Sequence, residues 1–350
     1  MMANGRREPA VQIPQRRLTP CAMEIAMETP LAYLNGRFVP FTGAALPLND
    51  AGFVSGATVV DNARTFRHKL FRWPDHLVRF RRDCDACYVP LETTDAELTA
   101  AAEELVAHNA KLLPATGELQ LVTFATPGPL GFYLGDSATG PPTLGMTTYP
   151  LPFARYRSFF TEGVTLAVAG FQASDSADIL PPEVKHRSRL VWHVAEKKLS
   201  DPESHFHVGT PGAVPVVLSH HGVGDTAIGS ILVVTDGKVI QADYGTVMDS
   251  VSVKVVGTLC EALGLPFDSE PLDMRGLANP NLHRPPDPSV TRASELLLAG
   301  TGFCLAGVRR FASGKNSRTY DWPGPVFQKL LAAWSDLVGV DIAKQFTEAK

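Results

Sequence analysis

The Asn35-Gly36 pair, set between the short apolar runs 31–34 and 37–40, constrains the fold most. Both residue types tolerate the positive φ of a two-residue hairpin turn, so two antiparallel strands are expected around them. The runs 57–66, 118–125 and 140–149 read as further strands of the same half, with a turn at His68-Lys69. Between them Asp75 is expected to cap a helix running to about Tyr88, and a second helix covers 95–110. Residues 150–158 read as a link to a second half. There, 164–171, 214–218, 230–234 and 295–299 are strand-like, with Asp236-Gly237 as a tight turn. Helices are expected over 190–199, over 252–263 with Gly264 at its end, and over 324–346. The proline-rich stretch 279–288 reads as loop. This is an α+β (mixed α/β) pattern in two halves, and 350 residues exceed the usual size of one core. The expected division is 30–152 and 158–312, each an α/β domain, then a helical tail over 313–350. Residues 1–29 are expected to be a disordered tail.

A net charge of −4 argues against a nucleic-acid surface. No apolar run approaches the roughly 20 residues of a membrane span, and the N-terminal stretch lacks the apolar core of a secretory signal, which makes the cytoplasm the default compartment. Five cysteines spread along the chain do not suggest a disulfide framework. Cys84 and Cys87 form a C-x-x-C pattern, but they lie in an apolar helical stripe with Leu77, Phe80 and Tyr88, which favours core packing over redox or metal work. The histidines at 205, 207, 220 and 221 read as surface or loop residues rather than metal ligands.

Lys185 stands just before the helix-like run from Leu190, in a basic stretch with His186, Arg187 and Arg189. Neighbouring cations lower an amine's pKa and favour its nucleophilic free base, which could hold an aldehyde cofactor as a Schiff base. Asp225 follows Gly222-Val223-Gly224, read as a flexible turn, and could pair with a protonated ring nitrogen. Arg79, placed on the helix face opposite Leu77 and Phe80, could clamp a phosphate. Ser250, Val251 and Ser252 open a helix whose first N–H groups are free for an anion, and the glycines flanking Thr301 would let a phosphate or carboxylate approach the backbone. Each has a bland alternative: a surface lysine, a turn aspartate, an exposed arginine, a serine cap, a plain turn.

In order and spacing these segments resemble the class IV (fold type IV) pyridoxal-phosphate-dependent aminotransferases, a family that includes branched-chain and D-amino acid aminotransferases and aminodeoxychorismate lyase. The resemblance covers roughly residues 31–310. It runs from Tyr33-Leu34-Asn35-Gly36 through Gly56 to Arg64, similar to the family's G-x-x-[VF]-[FY]-E-x-x-R stretch. It continues through Leu70 to Phe80, whose Arg79 matches the phosphate-binding arginine, then Lys185, then Gly224 to Ile231. Ser250-Val251-Ser252 falls where the family has a second phosphate site, and Ala293 to Thr301 resembles its last phosphate-contacting strand. The resemblance implies pyridoxal 5'-phosphate as cofactor, Lys185 as catalytic residue, and Arg79, Asp225, Val251, Ser252 and Thr301 as cofactor-binding residues. It also implies a homodimer, with an amino donor and a keto acid as small-molecule partners.

The sequence departs from the family where a glutamate is replaced by Asp225, an Asn by Ser230, a Gly by Ser250 and a Glu by Asp61. The third strand, 118–124, lacks the arginine that branched-chain enzymes use for carboxylate. Transaminase chemistry through Lys185 is the leading expectation. A lyase of the aminodeoxychorismate type and a degenerate, non-catalytic member are the alternatives.

Overall fold

The computed structural model describes residues 29–136, 140–171, 179–219, 222–272, 275–278 and 293–349. The expectations for residues 1–28, for 279–288 and for His220 and His221 lie outside them.

The first sheet is antiparallel throughout. Its strands are β1 (Leu31–Leu34), β2 (Arg37–Pro40), β3 (Val59–Phe66), β4 (Lys69–Leu70), β5 (Leu119–Thr126) and β6 (Thr143–Pro150), in the order β2-β1-β6-β5-β3-β4. The hairpin forms as the dipeptide requires, with Asn35 at φ 47° and Gly36 at φ 82°. Asn35 also ties the hairpin to β6: its Oδ1 accepts the Leu144 N–H at 2.8 Å and its own N–H donates to Leu144 O at 2.9 Å.

Strand alternation gives this sheet two buried faces. Val59, Ala63, Leu121, Ala125 and Met146 pack against Leu77, Phe80, Cys84, Leu98 and Leu105. Those partners come from α1 (Trp73–Ala86) and α2 (Asp95–Ala110). Asp75 does not cap α1. The chain enters through Arg72 in the left-handed region (φ 54°), and Asp75 sits inside the first turn, paired with Arg72. A carboxylate there still favours the helix through its dipole. In α2, Thr94 and Glu97 close a reciprocal capping box. The other face of the sheet, carrying Val60, Asn62 and Arg64, turns toward the second half of the molecule.

The segment expected to link the two halves is instead a helix, α3 (Phe153–Thr161). Aromatic residues are indifferent helix formers. Tertiary packing decides here: Tyr156 and Phe159 lie against Phe303, and Phe160 stacks on Phe346 with ring centroids 4.6 Å apart.

The second sheet holds β7 (Val164–Phe171), β8 (Val214–Ser219), β9 (Gly222–Thr226), β10 (Ser230–Thr235), β11 (Lys238–Gln241), β12 (Phe267–Ser269), β13 (Glu295–Gly300) and β14 (Cys304–Ser313). Their order is β12-β11-β10-β13-β14-β7-β8-β9, and β15 (Asn316–Thr319) pairs with β14. The β7–β8, β7–β14 and β11–β12 pairs are parallel and the rest antiparallel. The stretch read as a flexible turn at 222–224 is strand: β9 pairs with β8 in the register Leu218↔Val223 and Ser219↔Gly222. Backbone pairing at a sheet edge does not need side chains, so glycine conceals this strand from a propensity reading.

The longer helices of the second half are α4 (Leu190–Ser200), α5 (Val251–Leu263) and the pair α6 (Pro325–Val338) and α7 (Ile342–Thr347), which break at Gly339 with φ 65°. Residues after 313 do not stand apart as a tail. Phe327, Leu330, Trp334, Ile342 and Phe346 are buried in the core of the second sheet. Buried Glu295 accepts the N–H groups of Val326 and Phe327 at the start of α6. Among the described residues no helix is long and apolar enough to cross a membrane.

Candidate active site

A cleft of about 470 Å³ opens between the inner face of the first sheet and the end of the second. Arg79, Lys185, Asp225, Ser250 and Thr301 all line it. Residues some 220 positions apart in sequence therefore meet in one place.

Lys185 belongs to a short extended piece that adds to the first sheet beside β3. Its carbonyl accepts the Val60 N–H at 3.0 Å, and the Arg187 N–H donates to Thr58 O at 2.8 Å. The Lys185 N–H donates to Oδ2 of buried Asp83 at 2.8 Å. Three backbone hydrogen bonds thus fix where the side chain starts. Its Nζ lies 3.5 Å from Met248 Sδ and makes no ion pair among the described residues. Desolvation in the cleft, then the charge of Arg79, push the amine down to about 8, against the pull of Asp61 and Asp225. The sequence credited the shift to adjacent cations. Of those, Arg189 adds to the shift, ranking behind desolvation and Arg79.

Arg79 is buried, 2% exposed, on the same buried side of α1 as Leu77 and Phe80, so its expected placement on the opposite face is corrected. Val78 takes the exposed position instead. The Arg79 guanidinium forks onto Asp61, with Nε 2.8 Å from Oδ2 and Nη2 3.0 Å from Oδ1, and Nη1 donates to the Asp249 carbonyl at 2.8 Å. His76 Nδ1 lies 2.7 Å from Asp61 Oδ1. Burial alone would raise the Asp61 pKa. The charges and hydrogen bonds of Arg79 and His76 overcome it and hold the carboxyl well below the usual range. Burial lowers His76, which favours its neutral form.

Asp225, on β9, is different. Its Oδ2 accepts the Met248 N–H at 2.7 Å, while Oδ1 is buried without a hydrogen-bond partner among the described residues. The neighbouring Ser230 hydroxyl is near enough to favour the carboxylate, yet it too completes no hydrogen bond. Burial pushes Asp225 up to about 6, opposed by Met248, Ser230 and Lys185.

Ser250 caps α5, its Oγ accepting the Val253 N–H at 3.4 Å. The side chains of Val251 and Ser252 do not line the cleft but are buried beneath the helix. The first N–H groups of a helix lack intrahelical acceptors, but neither Val251 nor Ser252 lines the cleft. The glycine at 300 has a structural requirement of its own. A Cβ would sit 2.5 Å from Ile228 O, where the β9–β10 turn crosses the end of β13, and one at Gly229 would sit 2.5 Å from Ala299 O. These glycines allow two backbones to cross, and the crossing puts Thr301 in the cleft.

Sequence reasoning did not single out Asp61, His76 and Asp83 as a buried polar set, nor Asn62, whose buried Oδ1 lacks a partner in the cleft wall. The signal for Asp61 was a carboxylate at an inward position of an apolar strand, where only a buried cation can compensate it. Elsewhere, Cys84 is buried in the core of the first half and Cys87 is half-buried, as the apolar stripe indicated. His207 Nδ1 lies 2.9 Å from Leu199 O, and His205 packs on Phe206. No group of His, Cys, Asp and Glu able to hold a metal ion occurs among the described residues.

The fold is shared with solved structures. The branched-chain amino acid aminotransferase of Escherichia coli matches with a TM-score of 0.68 at 15% identity, over 89% of this chain and 95% of that one. That of Thermobaculum terrenum, solved in its PLP form, matches with a TM-score of 0.68 at 19% identity, over 92% and 97%. That of Thermoproteus uzoniensis, solved with norvaline, gives 0.66 at 16% identity, over 89% and 95%. Identities this low establish the fold and nothing finer. A comparison with curated protein sequences finds no match. The family model described as amino-transferase class IV, however, matches residues 58–311, the stretch that carries the whole cleft, and the chain belongs to the class IV aminotransferases.

Proposed function

We propose that the protein is a pyridoxal 5'-phosphate-dependent transaminase that moves an amino group between an amino acid or amine and a keto acid through Lys185. The observation that carries this reading is the pairing, in one cleft, of a desolvated amine near pKa 8 with a buried carboxylate whose Oδ1 has no partner. An orphaned buried acceptor is costly alone. A protonated ring nitrogen would satisfy it, so the residues fit the cofactor. When bound, pyridoxal phosphate supplies an aldehyde for the lysine amine and a ring that takes up the electron pair left at a substrate Cα.

The protein's own groups divide the remaining work. Arg79, pinned by Asp61, presents its remaining N–H groups with little orientational freedom, and with the first N–H groups of α5 at Val251 and Ser252 and the Thr301 hydroxyl it would hold the phosphate. Asp225 would keep the ring nitrogen protonated. Lys185, once its amine is free, is the base that takes the proton from the substrate Cα and returns it to the acceptor carbon. An amine with a pKa near 8 suits that exchange at neutral pH better than an ordinary lysine near 10.4.

A homodimer is part of the same reading. Leu46, Leu48 and Phe53 are exposed, as are Phe132, Tyr133 and Leu134. The Asp50–Pro129 bridge holds the two segments together, and a second copy of the chain would cover their apolar side chains.

The test is a visible absorbance spectrum of the purified protein incubated with pyridoxal phosphate, before and after borohydride, followed by peptide mapping. The expected result is a borohydride-sensitive band with pyridoxyl phosphate fixed on Lys185. A colourless protein, or a label on another lysine, overturns the reading. Pyruvate release without amino transfer would keep the cofactor site and replace transamination by lyase chemistry.

A further inference from the structure

Met248 touches two working groups of the cleft at once. Its N–H donates to Asp225 Oδ2 at 2.7 Å, and its Sδ accepts from Lys185 Nζ at 3.5 Å. A thioether sulfur is a weak acceptor, so this contact does little to keep a proton on the amine.

The residue stands in a wall shared by two cavities. The segment 243–250 runs from the end of β11 to the start of α5. The cleft lies on one side of it and a second cavity of about 280 Å³ on the other, and Val247 and Met248 line both. Tyr244 lines the second cavity and is 77% exposed, so that cavity opens to solvent. Met248 itself is half-buried. Met146, by contrast, is fully buried in the first core. The thiols are poor targets for an oxidant. Burial raises Cys84, Cys87, Cys260 and Cys304, which keeps the reactive thiolate scarce. A thioether needs no deprotonation to react.

We propose that Met248 is an oxidation site: hydrogen peroxide entering from either cavity converts its thioether to the sulfoxide, whose oxygen then holds Lys185 in the ammonium form. In that step a sulfur lone pair attacks one peroxide oxygen, the S–O bond forms and the O–O bond breaks. Sulfur loses two electrons, and the second oxygen leaves as water with both protons. The product replaces a weak acceptor by a strong one on a polar side chain. Desolvation and the charges of Arg79 and Arg189 favour the free amine, while Asp61 and Asp225 favour the ammonium. The sulfoxide joins the second group, because a hydrogen bond to the charged form favours that form. The oxidation and its effect on the amine rest on this geometry. The consequence for transamination rests on the function proposed above.

The experiment treats the purified full chain with hydrogen peroxide and maps its peptides by mass. Lys185 reactivity is read at fixed pH by acetic anhydride, which needs no cofactor, and by pyridoxyl labelling. The Met248 peptide should gain one oxygen while Met146 stays unmodified. Both labelling rates should fall about tenfold, the scale of a hydrogen bond to a charged group. Methionine sulfoxide reductase with a thiol reductant should restore them, and the reductant alone should not. Met248→Leu keeps the backbone N–H on Asp225 and every cysteine, and peroxide should leave its acetylation rate unchanged. If that variant fails to fold, the reductase reversal decides on the unaltered chain. An unmodified Met248, or an oxidised Met248 with undiminished acetylation of Lys185, would overturn the proposal. So would recovery with reductant alone, which would place the effect on a cysteine. Slowed acetylation in a protein that never takes a pyridoxyl label refutes the cofactor reading and leaves the oxidation site standing.

Discussion

The two ends of the cleft treat a buried carboxylate in opposite ways. At the Arg79 end, Asp61 is saturated by a guanidinium fork and an imidazole, and its pKa is driven down. At the other end, Asp225 keeps one oxygen without a partner, and its pKa is pushed up to about 6. Both acids are shielded from water, so the difference lies in their partners. The first end is complete within the chain and acts as scaffold. The second is left incomplete among the described residues, and under the proposed function a ligand would complete it. Lys185 stands between them, its amine lowered by the first end's Arg79 and raised by Asp225.

The largest effect should come from the residue that the two ends share. Lys185→Ala is expected to reduce turnover on the order of a thousandfold or more, with an unchanged circular dichroism spectrum. Retained turnover would sink the role given to Lys185. In the wild type, the rate of aldehyde condensation should reach half-maximum near pH 8, because the amine becomes free base as pH rises through its folded value.

Next in size, Asp61→Ala strands the buried Arg79 and should cost about 3–5 kcal/mol in denaturant unfolding. The stability that Asp61 contributes is fully present above roughly pH 4, its unfolded value, and is lost as pH falls toward the depressed folded value. A loss under about 1 kcal/mol would mean the Arg79 end is not the prebuilt one.

Asp225→Asn should move the other way. The folded value near 6 exceeds the unfolded value near 3.9, so the native carboxylate destabilises the fold above pH 6, and that cost disappears below about pH 4. The cofactor-free variant should gain about 3 kcal/mol at pH 8 and nothing at pH 4, while binding pyridoxal phosphate more weakly. A destabilised variant at pH 8 would erase the contrast between the two carboxylates.

The smallest effect on the folded protomer is expected at the apolar patch. Leu48→Asp combined with Leu134→Asp changes two exposed side chains and should leave protomer stability within about 0.5 kcal/mol each. Light scattering should report a dimer for the parent, as proposed, and a monomer for the variant. An unchanged mass would put the dimer contact elsewhere.

Much of the architecture was legible where one residue type has a local cause. Asn35-Gly36 forced a hairpin, Gly264 ended a helix with φ 66°, and the apolar stripe through Leu77, Phe80 and Cys84 marked a buried helix face. The order of the motifs also gave Arg79, Lys185, Asp225 and Thr301, which the fold brings to one cleft. Illegible were the elements whose cause is remote. The helix over Phe153–Thr161 is held by Phe303 and Phe346, residues some 150 to 190 positions away. The strand Gly222–Thr226 is held by backbone pairing to Val214–Ser219. Arg79 looked like a surface arginine because its partner, Asp61, is fixed beside it only by the packing of α1 on β3.

By itself, then, the sequence determined what depends on nearest neighbours: turns, caps, the mixed α/β pattern and the chemical types set along the chain. Only the tertiary structure decided the partners, and with them the charge states. Whether a carboxylate is saturated or orphaned, and whether an amine titrates near 8 or near 10.4, depends on desolvation and on charges a few ångströms away in space. Those distances are set by how the two sheets meet.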